Sequence, residues 1–79
     1  MIKVKLTGDF QKLAPAGSEK GLFSVECEDG LTLLGLLAQL GVESAGIKYN
    51  VLVNNSRKDK GYVLQDADSI IVMPLLAGG

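Results

Sequence analysis

The run Ser69-Ile70-Ile71-Val72-Met73 has the length of a strand and no wet side. A strand that is apolar on both faces belongs in the middle of a sheet, or carries an exposed patch for a partner. That demand falls on a chain of only 79 residues, near the lower limit for a core that is stable without covalent or metal staples. The single cysteine, Cys27, excludes an internal disulfide, and the absence of histidine leaves no ordinary ligand set for a structural zinc. Packing around this strand therefore has to hold the fold.

The rest of the chain supplies neighbours for it. Ile2, Val4 and Leu6 alternate with Lys3, Lys5 and Thr7, the period of a strand with one buried face. Gly8-Asp9 breaks that pattern, and Phe10 to Gly21 reads as loop punctuated by Pro15, Gly17 and Gly21, with room for a short helical turn around Gln11-Lys12-Leu13 and with Phe10 and Leu13 as apolar anchors. Leu22 to Glu28 alternates again, with Phe23, Val25 and Cys27 on one face. Cys27 thus reads as a small core residue, since no basic or helix-start neighbour is present to activate its thiol.

Thr32 is placed as an N-cap, with Leu31 and Leu36 as a staple across it, and Leu33, Leu36, Leu37 and Leu40 recur at helical spacing before a stop at Gly41. The expected helix is Leu33 to Leu40. Gly35 inside it costs about 1 kcal/mol relative to alanine, which points to a close backbone approach there. Asn50 to Asn54 is a third strand, Tyr62-Val63-Leu64 a short edge strand, and Gln65-Asp66-Ala67-Asp68 a tight turn. Arg57-Lys58-Asp59-Lys60-Gly61 reads as a solvated hairpin tip or as a docking contact for an acidic surface.

This order of elements gives an α+β fold of the β-grasp type. A mixed sheet of about four to five strands packs on one main helix, with the first and last strands parallel and central. Residues 1–79 form one domain, with 74–79 as an extended tail.

Several functions are excluded. The eight basic and nine acidic residues leave a net charge of −1, with no basic surface for nucleic acid. No apolar run reaches about 18 residues, so no membrane span is expected. Met1 to Lys5 starts directly in a strand pattern without signal-peptide architecture, and the cytoplasm is the expected compartment. There is no phosphate-binding loop and no histidine to activate a serine or cysteine. The carboxylate pairs Glu26/Glu28 and Asp66/Asp68 read as a solvated face and a capping turn. The chain is not expected to be an enzyme, and no metal site or bound cofactor is expected.

That leaves Pro74-Leu75-Leu76-Ala77-Gly78-Gly79. Pro74 lacks an amide donor and helps end sheet pairing. Two glycines have no Cβ and can enter a channel too narrow for side chains. A carboxylate at Gly79 is a poor electrophile until it is activated, for instance by adenylation. With no ATP site here, ATP and magnesium would belong to a partner.

Met1 to Thr7, the pattern T-x-x-x-L-L-x-x-L-G over Thr32 to Gly41, the Val51-Leu52-Val53-Asn54-Asn55 turn, and Leu64-Gln65-Asp66-Ala67-Asp68 leading through Ile70 to Pro74 and Gly78-Gly79 resemble the MoaD/ThiS family of ubiquitin-like sulfur carriers. The closing stretch is similar to L-x-D-G-D-x-I-x-x-x-P-x-x-x-G-G, with Ala67 where the family usually has glycine; Asn55 likewise replaces a frequent glycine.

The resemblance implies a carrier cycle. A ubiquitin-activating-type enzyme adenylates Gly79, and a sulfurtransferase or other persulfide donor converts it to a thiocarboxylate. Molybdopterin synthase large subunit or thiazole synthase then accepts the sulfur. Gly78 would give clearance, Pro74, Leu75, Leu76 and Ala77 would meet the partner's groove, and Ile71 and Met73 would dock. The position of Pro74 and the chain length resemble the molybdopterin synthase small subunit more than the thiazole carriers. A ubiquitin-like modifier that forms isopeptide bonds through Gly79 is the alternative from another class.

Overall fold

The structure, a computed structural model, describes residues 1–75. Its regular elements are β1 (Ile2–Leu6), β2 (Leu22–Val25), α1 (Leu33–Leu40), β3 (Tyr49–Val53) and β4 (Ser69–Pro74), with 3-10 turns at Gly8–Leu13 and Glu43–Ala45. The strands form one mixed sheet in the order β2-β1-β4-β3. β1 and β4 lie parallel at its centre, Val4 beside Ile70 and Leu6 beside Val72. The flanking pairs, β1 with β2 and β3 with β4, are antiparallel. The run with no wet side thus takes the interior position that its composition demands.

Alternation decides what each strand buries. Ile2, Val4 and Leu6 from β1, Val51 and Val53 from β3, and Ile70 and Val72 from β4 form one core with Leu33, Leu36 and Leu37 of α1. Phe10, Leu31, Val42 and Leu64 belong to the same core. The helix spans the residues expected. Thr32 caps it, its hydroxyl accepting from the Gly35 amide at 3.1 Å, and Gly41 ends it in the left-handed conformation at φ 85°.

Several expectations are corrected. The helical turn after β1 is a 3-10 turn that begins at Gly8, ahead of the expected Gln11, and Phe10 is fully buried in the core. β2 stops at Val25 rather than Glu28, although Cys27 keeps its place against the core, its thiol 3.6 Å from the Leu64 carbonyl. Tyr62-Val63-Leu64 is no edge strand, and the sheet has four strands among the described residues. Its backbone is taken by the start of the helix instead: Leu33 N–H donates to Tyr62 O, Leu64 N–H to Leu31 O, and Leu34 N–H to Lys60 O, all within 2.9 Å. The first and third of these bonds satisfy first-turn amides that a helix cannot satisfy itself. They also place Arg57 to Gly61 in a long connection that reaches α1, not at a hairpin tip. Gly35 meets no foreign backbone; a Cβ there would lie 3.2 Å from the capping hydroxyl of Thr32.

The reading of Asp66 and Asp68 as a capping turn understates Asp68, which caps the Gln65 amide and is also buried. Asp66 is exposed and pairs with the Met1 ammonium. Asp68 is buried at 6% exposure. It accepts from Asn54 Nδ2 at 2.8 Å, from Gln65 N–H at 2.9 Å and from Tyr62 Oη at 3.2 Å.

Candidate functional site

The end of β4 is where the fold delivers its tail, and three elements converge on it. Both the amide and the hydroxyl of Thr7 donate to Val72 O, at 3.0 and 2.9 Å. Next along the strand, Pro74 stands opposite Tyr49 of β3. Leu75 N–H then donates to Lys48 O at 2.9 Å. In an antiparallel ladder hydrogen-bonded and non-bonded pairs alternate. The Leu75–Lys48 bond therefore puts Pro74 at a position from which the ladder with β3 asks no amide. The expectation that Pro74 ends the pairing is corrected by one residue: sheet contact persists to Leu75.

Two supports sit beneath this exit. Gly8, at φ 57°, lies against the proline ring; a Cβ on it would be 2.6 Å from Pro74 Cγ and 3.1 Å from Cδ. Tyr49 is wedged edge-on against Phe10, ring centroids 6.1 Å apart. Its hydroxyl donates to Glu43. Lys60 Nζ closes that cluster, 3.1 Å from Glu43 Oε1 and 4.9 Å above the Tyr49 ring. Burial first, then the bond to Glu43, pushes the Tyr49 hydroxyl up, while Tyr49 and Lys60 hold the Glu43 carboxyl down. Tyr49 stays a neutral donor throughout the ordinary pH range.

The sheet face away from α1 is the second component. Ile71 and Met73 alternate with the core residues Ile70 and Val72 and so lie on that face, both half-buried. Ile71 stands between Lys5 of β1 and Leu52 of β3. Leu22, half exposed, pairs with Lys5 from the other side. A shallow depression there is lined by Lys3, Lys5, Leu22, Ser69, Ile70 and Ile71.

Of the residues singled out in the sequence, the structure thus brings Ile71, Met73, Pro74 and Leu75 to one end and one face, with Leu75 half exposed at the exit. Leu76, Ala77, Gly78 and Gly79 lie outside the described residues. Sequence reasoning missed Gly8, whose partner is 66 positions away, and Tyr49, whose register against Pro74 only the sheet reveals. Among the described residues no group of three or more His, Cys, Asp or Glu is placed to hold a metal ion, and no helix is long and apolar enough to cross a membrane. What this part of the molecule can do is hold and orient the end of β4.

The model of the ThiS family matches residues 4–79. The chain belongs to the ThiS family. A ThiS-family protein is a ubiquitin-like sulfur carrier or modifier, not itself an enzyme, and works with an E1-like activating enzyme. No curated protein matches the sequence. The fold of this ThiS-family chain is similar to that of SAMP1 from Haloferax volcanii, with a TM-score of 0.72 at 20% identity over 99% of this chain and 98% of that one. A second structure, of small archaeal modifier protein 1 from H. volcanii, also gives a TM-score of 0.72, at 22% identity over 92% of this chain and 94% of that one.

Proposed function

We propose that this protein carries sulfur on Gly79 and donates it in the assembly of a molybdopterin-type cofactor. The observation that supports the reading is that the family match runs through the Gly78-Gly79 pair, which follows Leu75, Leu76 and Ala77 after a strand whose end is held by Thr7, Tyr49 and Lys48. In the first step the Gly79 carboxylate attacks the α-phosphate of ATP on the E1-like partner, giving an acyl-adenylate and pyrophosphate. A persulfide then displaces AMP, and a second thiol takes the resulting sulfur–sulfur bond as a disulfide, which leaves the Gly79 thiocarboxylate. Leu75, Leu76 and Ala77 fill the partner's groove, Gly78 gives clearance, and Ile71 and Met73 dock on the partner beside Lys3 and Lys5.

The test is intact-mass measurement after incubation with the activating enzyme, ATP-Mg and a persulfide donor. The expected result is replacement of one oxygen by sulfur, absent when Gly79 is deleted. Transfer to molybdopterin synthase large subunit rather than to thiazole synthase distinguishes the pathway; the position of Pro74, five residues before Gly79, favours the former.

A second reading is favoured by the likeness in fold to a small archaeal modifier protein. It predicts the same activated Gly79 joined to target lysines. Since Lys60 is the last basic residue, a tryptic digest of conjugates would leave the peptide beginning at Gly61 on the modified lysine.

A further inference from the structure

We propose that Gly8 is a positioning residue for the tail: by lacking a Cβ it lets the Pro74 ring seat on the turn after β1, and so fixes where and in which direction the chain leaves the sheet. The inference rests on the reading that residues beyond Leu75 are delivered to a partner. Gly8 has the left-handed φ of 57°, but conformation is only half of its constraint. Gly17 and Gly46 also have positive φ, yet a Cβ added to either would meet no atom within 4 Å, whereas one added to Gly8 would lie 2.6 Å from Pro74 Cγ. A proline ring is tied to its own backbone at both ends, so it cannot swing aside as a long side chain would. Relief has to come from moving Pro74 itself or the Gly8 turn.

The neighbouring contacts show what such a movement changes. Val72 O is fixed by two bonds from Thr7, the residue before Gly8. Leu75 N–H is fixed to Lys48 O, the residue before Tyr49. Pro74 is the link between these anchors, clasped between Gly8 on one side and the register with Tyr49 on the other. Displacing it loosens the Leu75–Lys48 bond and redirects the chain at that point. Misplacement of about 1 Å remote from a reacting group can cost on the order of 100-fold in rate.

The experiment uses the full chain with its E1-like activating enzyme, measuring ATP–pyrophosphate exchange as a function of carrier concentration, with amide exchange of Leu75 read in parallel. Gly8→Ala raises the KM for the carrier by about tenfold or more, with the displaced exit also speeding exchange of the Leu75 amide while the amides of β1 and β4 stay protected. Gly8→Asn, which tolerates positive φ but carries the same Cβ, behaves alike and covers the case in which the alanine variant folds poorly. Pro74→Ala alone has a smaller effect, and the Gly8→Ala/Pro74→Ala double variant performs like Pro74→Ala, because the ring that the new Cβ would strike is gone. If the two substitutions simply add, or if both Gly8 variants keep the wild-type KM, Gly8 serves only its own turn and the proposal fails. Deleting Gly79 separates the two questions: exchange that survives the deletion overturns the carrier reading itself, whereas exchange lost with Gly79 but unchanged in the Gly8 variants overturns only this inference.

Discussion

The carboxylate of Asp68, buried just before β4, accepts a 2.8 Å hydrogen bond from the side-chain amide of Asn54, just after β3. The other end of the Asn54 amide accepts from Ser69 N–H at 3.0 Å, so one side chain ties the end of β3 to two successive residues where β4 begins. Asn54 itself takes a left-handed φ of 51°, a conformation asparagine tolerates better than most residues. Removing the carboxylate by Asp68→Ala strands three donors at once. The expected loss is about 2–3 kcal/mol, or a melting temperature lower by on the order of 10 °C, checked by urea and thermal denaturation.

The same carboxylate sets an acid limit. Burial acts most strongly and pushes its pKa up. The Gln65 N–H, the Asn54 amide and the Tyr62 hydroxyl, helped by the charge of Lys58, together outweigh it and carry the pKa below the ordinary 3.8. A carboxyl depressed by folding contributes fully above its unfolded value of about 3.9, and loses that contribution as pH falls through the lower folded value. Unfolding free energy of the wild type should therefore fall below about pH 4 more steeply than that of Asp68→Asn, whose amide does not titrate. Parallel slopes for the two proteins in that window would rule out this assignment.

Gly21 offers a contrast between two kinds of glycine. Its carbonyl accepts from Leu6 N–H at 2.9 Å, and a Cβ on it would lie 2.1 Å from Leu6 O. Gly17 has a similar φ of 89° but open space around it. Gly17→Ala should cost only the left-handed strain, about 1 kcal/mol, whereas Gly21→Ala should cost about 3 kcal/mol or more because a backbone atom cannot step aside. Denaturant midpoints of the two variants test the difference.

At the head of α1, capping and helix propensity oppose each other. Thr32→Ala removes the hydroxyl that receives the Gly35 amide and should cost about 1 kcal/mol. Gly35→Ala should recover up to about 1 kcal/mol of propensity, but its Cβ would stand 3.2 Å from that hydroxyl. The substitution is expected to be close to neutral in the wild type and stabilising by about 1 kcal/mol in the Thr32→Ala background. A double-mutant cycle in urea reads the coupling directly.

The parts of this fold that were legible in the sequence are those with local punctuation. α1 lies between Thr32 and Gly41, both of which announce their roles by type and spacing. β1 and β4 follow from alternation and from a run with no polar face. The parts that were not legible depend on partners far along the chain. Tyr62 to Leu64 has a strand-like composition, yet its backbone is taken by Leu31 and Leu33. Asp68 sits in a sequence that reads as a local capping turn, and only the approach of Asn54 and Tyr62 makes it a buried acceptor for distant partners as well. At the candidate site, Ile71 and Met73 follow from the family resemblance, because a run apolar on both faces does not show which residues turn away from the helix; the sheet does. The reach of pairing to Leu75 was not legible either, because a proline withholds only its own amide and the register decides whether that amide was needed.

The uncovered sheet face gives the most direct functional test. Ile71 stands beside Lys5 across the parallel pair and beside Leu52 across the antiparallel one. In Ile71→Glu the new carboxylate would sit next to the Lys5 ammonium, a favourable cross-strand pair that limits the cost to the fold to about 1 kcal/mol. A partner that buries this face would instead have to desolvate that charge. Buried apolar anchors at the centre of an interface contribute about 2 kcal/mol or more each, so binding to the activating enzyme should weaken by about 30-fold or more. Leu34→Glu is the matched control: Leu34 is 45% exposed, but on α1, on the other side of the sheet. It should leave the affinity unchanged, and calorimetric titration of both variants against the enzyme decides between this face and the helix as the docking surface.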